Sequence, residues 1–116
     1  MKVGIVGSRR RKDKDKVFQL VDSLKLTDVV VSGGCEGVDS WAEDRAKERG
    51  MKVMILKPNL KDISHKGDMV NRYYERNKKI VQNSDIIYAF VSSERTGGTE
   101  NTIKWAKELG IEIRIF

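Results

Sequence analysis

Val29-Val30-Val31-Ser32-Gly33-Gly34-Cys35-Glu36-Gly37-Val38-Asp39 is the stretch that decides the fold. A run of β-branched residues reads as a short buried strand. It passes directly into a turn carrying Gly33, Gly34 and Gly37, and then into a segment whose Trp41, Ala42 and Ala46 have helical spacing. That segment stops at Gly50, a residue suited to the left-handed position just past a helix. Strand, glycine-rich turn and helix in this order form the first half of a βαβ unit.

The same grammar extends in both directions. Val3–Val6, Val53–Leu56, Ile86–Phe90 and Ile111–Ile115 read as further strands. Val17, Leu20, Val21 and Leu24 form one helical stripe, Val70, Tyr73, Tyr74, Asn77 and Val81 a second, and Ile103, Ala106 and Leu109 a third that ends at Gly110. Strict alternation of strands and helices, with strands apolar throughout, predicts an α/β class. The expected architecture is a Rossmann-like three-layer α/β/α sandwich around a five-stranded parallel sheet, in order 3-2-1-4-5. Right-handed crossovers place every strand-to-helix loop on one sheet edge, and the crevice opens between the first and fourth strands. Residues 1–116 are expected to form a single domain, without internal repeat or linker. The longest connection, Lys57 to Asp68, holds Pro58, Gly67 and the lone His65.

Composition removes several classes. Hydrophobic residues make up 39% of the chain, an ordinary globular share, and the charged share of 34% is high but evenly spread outside one short stretch. The longest apolar run, Ile86 to Val91, is far short of the roughly 20 residues of a membrane span, so no membrane partner is expected. Met1-Lys2-Val3-Gly4-Ile5-Val6 leads straight into a strand without the apolar block of a secretory leader. A single cysteine, Cys35, excludes an internal disulfide and fits a reducing compartment. The expected location is cytoplasmic. Of the net charge of +6, four units lie in residues 9–16 alone. Such a local cluster bears on a partner, although charge runs also form plain solvated surfaces.

Three strand-to-helix junctions carry the chemistry: Gly7-Ser8-Arg9, Ser32-Gly33-Gly34 through Gly37 and Asp39, and Thr96-Gly97-Gly98-Thr99-Glu100. Glycine permits positive φ and close backbone approach, so successive N–H groups can converge on an oxyanion. A helix N-terminus behind each loop would add unpaired donors and a favourable dipole. Ser8, Ser32, Thr99 and Thr102 would add hydroxyls. Taken singly, each loop could equally be a tight turn with a helix cap. None is the dinucleotide fingerprint or a Walker loop, so neither NAD nor ATP chemistry, nor any cofactor, is implied. Cys35 lacks a partnering histidine motif and His65 lacks a second ligand at metal spacing, so neither a thiol nucleophile nor a metal site is expected. Trp41, Trp105, Tyr73 and Tyr74 fall at helical positions suited to packing, with one tyrosine a candidate platform for a base.

The ordered set of Gly7-Ser8-Arg9, Ser32-Gly33-Gly34-x-x-Gly37-x-Asp39 with Ala42 and Ala46, Arg76-Asn77, Asp85 and Gly97-Gly98-Thr99 spans the chain. It resembles the Rossmann-like SLOG superfamily, which includes the LOG phosphoribohydrolases and the DNA-processing protein A family. Among its members the chain looks most like the small YspA-like and YAcAr-type proteins. The resemblance implies a nucleotide-like, phosphate-bearing ligand at Gly7, Ser8, Arg9, Ser32, Gly33, Gly34, Gly37, Asp39, Arg76, Asn77, Gly97, Gly98 and Thr99. It implies that Arg76 and Asn77 face the ligand edge, where an arginine suits phosphate. Self-association is compatible with the superfamily, though no sequence feature fixes it.

The leading expectation is a sensor or binding domain for a nucleotide or nucleotide-derived ligand. An alternative is a LOG-type N-glycoside or phosphoribosyl hydrolase with Glu100 or Asp39 as the acid. In the LOG enzymes the glutamate lies in a P-G-G-x-G-T-x-x-E string; here the loop is shorter and Glu100 comes early, where it would also complement the helix dipole. Asp39 has two readings as well, the N-cap of its helix or an acceptor for a ribose hydroxyl. A further alternative is single-stranded DNA binding through Arg9, Arg10, Arg11 and Lys12, which should weaken steeply with salt. No aromatic residue interleaves that basic run.

Overall fold

In the first strand Val3 and Ile5 point to one face of the sheet while Gly4 and Val6 point to the other, and all four are buried, so this segment lies at the sheet centre. The computed structural model describes residues 1–116. Its elements run β1 (Lys2–Gly7), α1 (Lys14–Ser23), β2 (Val29–Ser32), α2 (Val38–Glu48), β3 (Lys52–Ile55), α3 (Lys66–Gln82), β4 (Ile86–Phe90), α4 (Gly98–Leu109) and β5 (Glu112–Ile115). The sheet is parallel throughout, in order β3-β2-β1-β4-β5, as expected. No helix is long and apolar enough to cross a membrane.

Two cores sandwich the sheet. Val3, Ile5 and Val30 pack with Val17 and Val21 of α1 and Val38, Ala42 and Ala46 of α2. On the other face Val6, Val31, Ile87 and Ala89 pack with Ile80 and Val81 of α3 and Ile103 and Ala106 of α4. The chain changes faces between α2 and α3, which is why β4 lies beside β1 instead of beyond β3. α2 and α4 end alike. Gly50 (φ +75°) and Gly110 (φ +69°) reverse the chain, and the Met51 and Ile111 amides return to the Ala46 and Ala106 carbonyls, each at 2.9 Å.

The expected stripe on α3 divides in two. Its C-terminal half is core, whereas Val70 and Tyr74 remain 43% and 40% exposed. Both overhang the crevice at the carboxyl ends of the strands and take no part in the core packed on the sheet.

Gly7 shows how closely the layers meet at the end of β1. A Cβ there would lie 2.6 Å from Val38 Cγ2 and 2.7 Å from Val38 Cβ. Gly7→Ala should therefore push α2 away and cost about 1–3 kcal/mol, measured by denaturant unfolding. A loss within error of zero would show that α2 shifts freely.

Candidate functional site

The loops that leave the carboxyl ends of β1 and β4 border a cavity of about 570 Å³, a size suited to a small ligand. Gly7, Ser8, Arg9 and Arg10 line one side, and Thr96, Gly97, Gly98, Thr99 and Thr102 another. Overhanging α3 supplies Val70, Tyr73, Tyr74, Arg76 and Asn77, while the β2–α2 segment supplies Cys35 and Asp39. The cavity thus joins a polar, glycine-rich end to an apolar, aromatic flank.

The start of α4 is built to present donors. Gly97 takes φ +92° as N-cap, and no side chain caps the helix. The Asn101 amide bonds the Gly97 carbonyl, but the amides of Gly98, Thr99 and Glu100 have no acceptor in the protein. This leaves the positive end of the helix dipole open beside the cavity. Asn77 fixes its position: Nδ2 donates to the Gly98 carbonyl at 3.3 Å and to Asn101 Oδ1 at 3.2 Å. Asn101 had no signal in the sequence, because its role depends on contact between α3 and α4.

The first junction departs from expectation. No helix follows it directly, since α1 starts only at Lys14. Gly7-Ser8-Arg9 is a loop wall, tied to β4 by the Ser8 amide on the Phe90 carbonyl at 2.9 Å. The second junction reaches the cavity only through Cys35 and Asp39. Ser32 is fully buried and donates to Glu43 Oε2 at 2.7 Å. Gly33 gives its carbonyl to Arg76 Nη1 at 2.5 Å. Gly34 (φ +72°) turns the loop against Ile55 and Lys57, and Gly37 (φ +82°) is the N-cap of α2. None of these four lines the cavity wall. Their work is to bend the loop and hold α2 close to the sheet. Glu43, one helical turn beyond Asp39, was legible only as the spacing of two acids on one helix face.

Asp39 is not the N-cap. It lies in the first turn of α2 and folds back, so that Oδ2 accepts the Cys35 amide at 3.2 Å. Burial is the largest influence on its carboxyl and pushes the pKa up to about 6, with nearby Glu43 adding to the rise. The Cys35 and Gly33 amides and the Arg76 guanidinium oppose it. Arg76 is itself only 7% exposed. Besides Gly33 it reaches the Leu56 carbonyl at 3.4 Å and Asn77 Oδ1 at 3.1 Å, and it stacks over Tyr73 with 5.4 Å to the ring centroid. Arg76 and Asn77 therefore do face the cavity, but much of their hydrogen-bonding capacity joins the second and third junctions across it.

Glu100 points elsewhere. It pairs with Arg95 at 2.9 Å and is absent from the cavity wall. The basic run also divides. Arg9 and Lys12 are exposed, and Arg10 forms an exposed pair with Glu94 across the cavity mouth. Arg11 does not belong with them. It grips Asp13 and donates to the Val91 and Phe116 carbonyls at 3.0 and 2.8 Å, with its guanidinium over Phe90. It serves as a clamp on the end of the sheet, and its donors are occupied.

Together these features define a Rossmann-like α/β domain with a ligand-sized crevice at its topological switch point. No protein-family model matches the chain, and neither does any curated protein. Among solved structures the chain is similar to DNA processing protein A from Streptococcus pneumoniae, with a TM-score of 0.81 and 20% identity over 98% of this chain and 49% of that one. It is also similar to the C-terminal domain of PF1911 hydrogenase from Pyrococcus furiosus, with a TM-score of 0.55 and 12% identity over 98% and 89% of the two chains. The chain thus spans about half the length of the first neighbour, and at these identities the likeness is one of fold.

Proposed function

We propose that the domain binds a nucleotide or nucleotide-derived ligand, as in the SLOG superfamily whose motif order it resembles, with a phosphate at the start of α4. The observation that carries this reading is the set of free amides at Gly98, Thr99 and Glu100 beside the cavity wall formed by Gly7-Ser8-Arg9. Val70, Tyr73 and Tyr74 offer the apolar flank against which a base would lie, and Arg9, which has no acidic partner, adds positive charge to the wall. Ser32, Gly33, Gly34 and Gly37 support the site from behind without touching the ligand.

Thermal unfolding with inorganic phosphate and a panel of nucleoside mono- and diphosphates tests the proposal. A ligand at 100 times its dissociation constant should add about 2.7 kcal/mol. Gly98→Asp is the decisive variant. A Cβ at Gly98 meets only Asn77 Nδ2 at 3.8 Å, and an acid suits the first turn of a helix, so the fold should be kept. Its carboxylate would occupy the phosphate position, and stabilisation by nucleotides should vanish. No stabilisation of the parent protein by any of these compounds, or equal stabilisation of Gly98→Asp, would reject the assignment.

One observation favours a second reading, LOG-type cleavage of an N-glycosidic or phosphoribosyl bond in the same cavity. Asp39 lines the wall with its pKa raised to about 6, the range of a carboxyl that can exchange a proton near neutrality. Asp39, rather than Glu100, would then be the acid, and base release that survives Asp39→Ala would exclude it. The DNA-binding reading keeps Arg9 and Lys12, which are exposed and unpaired, whereas Arg10 is exposed but paired with Glu94 and Arg11 is engaged at the end of the sheet.

A further inference from the structure

β5 forms one margin of the sheet, with β4 on its inner side and no strand on its outer side. The Phe116 amide and carbonyl both turn inward, to the Ala89 carbonyl at 2.8 Å and from the Val91 amide at 3.0 Å. The period-two alternation of a strand then turns the amides and carbonyls of Ile113 and Ile115 outward. An edge of this kind is a template for another strand. The opposite margin, β3, begins at Lys52 and is followed by Lys57, like charges that discourage pairing with a copy of itself. β5 carries a different pattern, since its sequence is complementary to itself when reversed about Ile113.

We propose that β5 pairs antiparallel with β5 of a second copy across a two-fold axis at Ile113, joining the two sheets into one. In this register Ile113 faces Ile113 of the second copy, and Glu112 faces Arg114 on either side of it. The charged match has a structural counterpart. Glu112 and Arg114 are both 61% exposed, and their contact within the strand is a loose 3.8 Å, so both charges are available across the axis. Phe116 is 48% exposed yet already held flat against Phe90 and Tyr88, with ring centroids 5.0 and 5.9 Å away, so it adds apolar surface beside the charged pair without further ordering. Ile115 and Leu109, each 42% exposed, extend the apolar margin on the α4 side. The alternation of opposite charges about Ile113 singles out a second copy as the occupant, because a two-fold axis brings each residue against its complement twice.

An interface built on one short edge lies at the small end of specific contacts, so the dimer should be weak and concentration-dependent. Sedimentation velocity over a series reaching hundreds of micromolar tests it. The parent protein should shift from monomer to dimer. Arg114→Glu and Glu112→Arg should each abolish the shift by setting like charges opposite each other. The double exchange, E112R with R114E, should restore it, and circular dichroism should show that all variants keep the parent fold, since both residues are exposed. A monomer at every concentration, a dimer indifferent to either single exchange, or a double variant that stays monomeric would each overturn the proposal.

Discussion

Arg76→Met should lower the unfolding free energy by about 3–5 kcal/mol, the largest loss expected from any single change near the cavity. The guanidinium is nearly inaccessible, and its removal strips a partner from the Gly33 and Leu56 carbonyls and from Asn77 Oδ1. It also removes the positive charge that favours the ionised form of buried Asp39. Methionine fills much of the same volume, so the loss would report missing polar partners and not a cavity. Arg76→Lys should recover only part of it, because an ammonium keeps the charge but not the planar fork that reaches several acceptors. Denaturant unfolding measures both variants. If Arg76→Met costs less than about 1 kcal/mol, water or a neighbouring group replaces the clamp, and Arg76 is free to turn toward a ligand.

Asp39→Asn should act in the opposite direction, and only over part of the pH range. The Asp39 carboxyl titrates near 3.8 when solvated and near 6 in the fold. Between these values the folded state binds the proton more tightly than the unfolded chain, so this group makes stability fall as pH rises from about 4 to about 6. Above that window the whole penalty is present, about 3 kcal/mol for a shift of this size. Asparagine carries no charge to desolvate and can still accept the Cys35 amide. The variant should therefore be more stable than the parent at pH 7–8 by up to ~3 kcal/mol and equal to it near pH 3. Parallel pH profiles of unfolding free energy give the difference directly. A difference that does not change with pH would mean that Asp39 titrates normally and that its burial is offset by the surrounding amides.

The two predictions concern one piece of the site. Arg76 and Asn77 connect the second and third junctions, so disorder at Asp39 should reach the α4 amides through this pair. Asn77→Ala is the variant that separates the two halves. It cuts the link to Gly98 and Asn101 while leaving the Arg76 bonds to Gly33 and Leu56 in place.

The order of elements and the place of the crevice were legible in the amino-acid pattern. Strands of β-branched residues alternating with helical stripes allow few solutions other than a parallel sheet with helices on both faces, and crossover handedness then places every loop on one edge. Glycines at 50 and 110 were legible as helix stops because a left-handed residue is a local requirement. Which polar groups remain free was not legible there and follows from packing. Ser32 and Ser8 look alike on paper, but Ser32 is consumed by Glu43 while Ser8 lines the cavity. Arg9, Arg10 and Arg11 are adjacent, yet Arg11 alone turns inward to the end of the sheet. Gly33, Gly34 and Gly37 read as an anion cradle but lie outside the cavity wall, whereas Gly97 and Gly98 open α4 directly on it. The physical reason is the same in each case. Backbone propensity is a property of neighbours in the chain, but whether a donor is satisfied depends on partners tens of residues away that only packing brings within hydrogen-bonding distance.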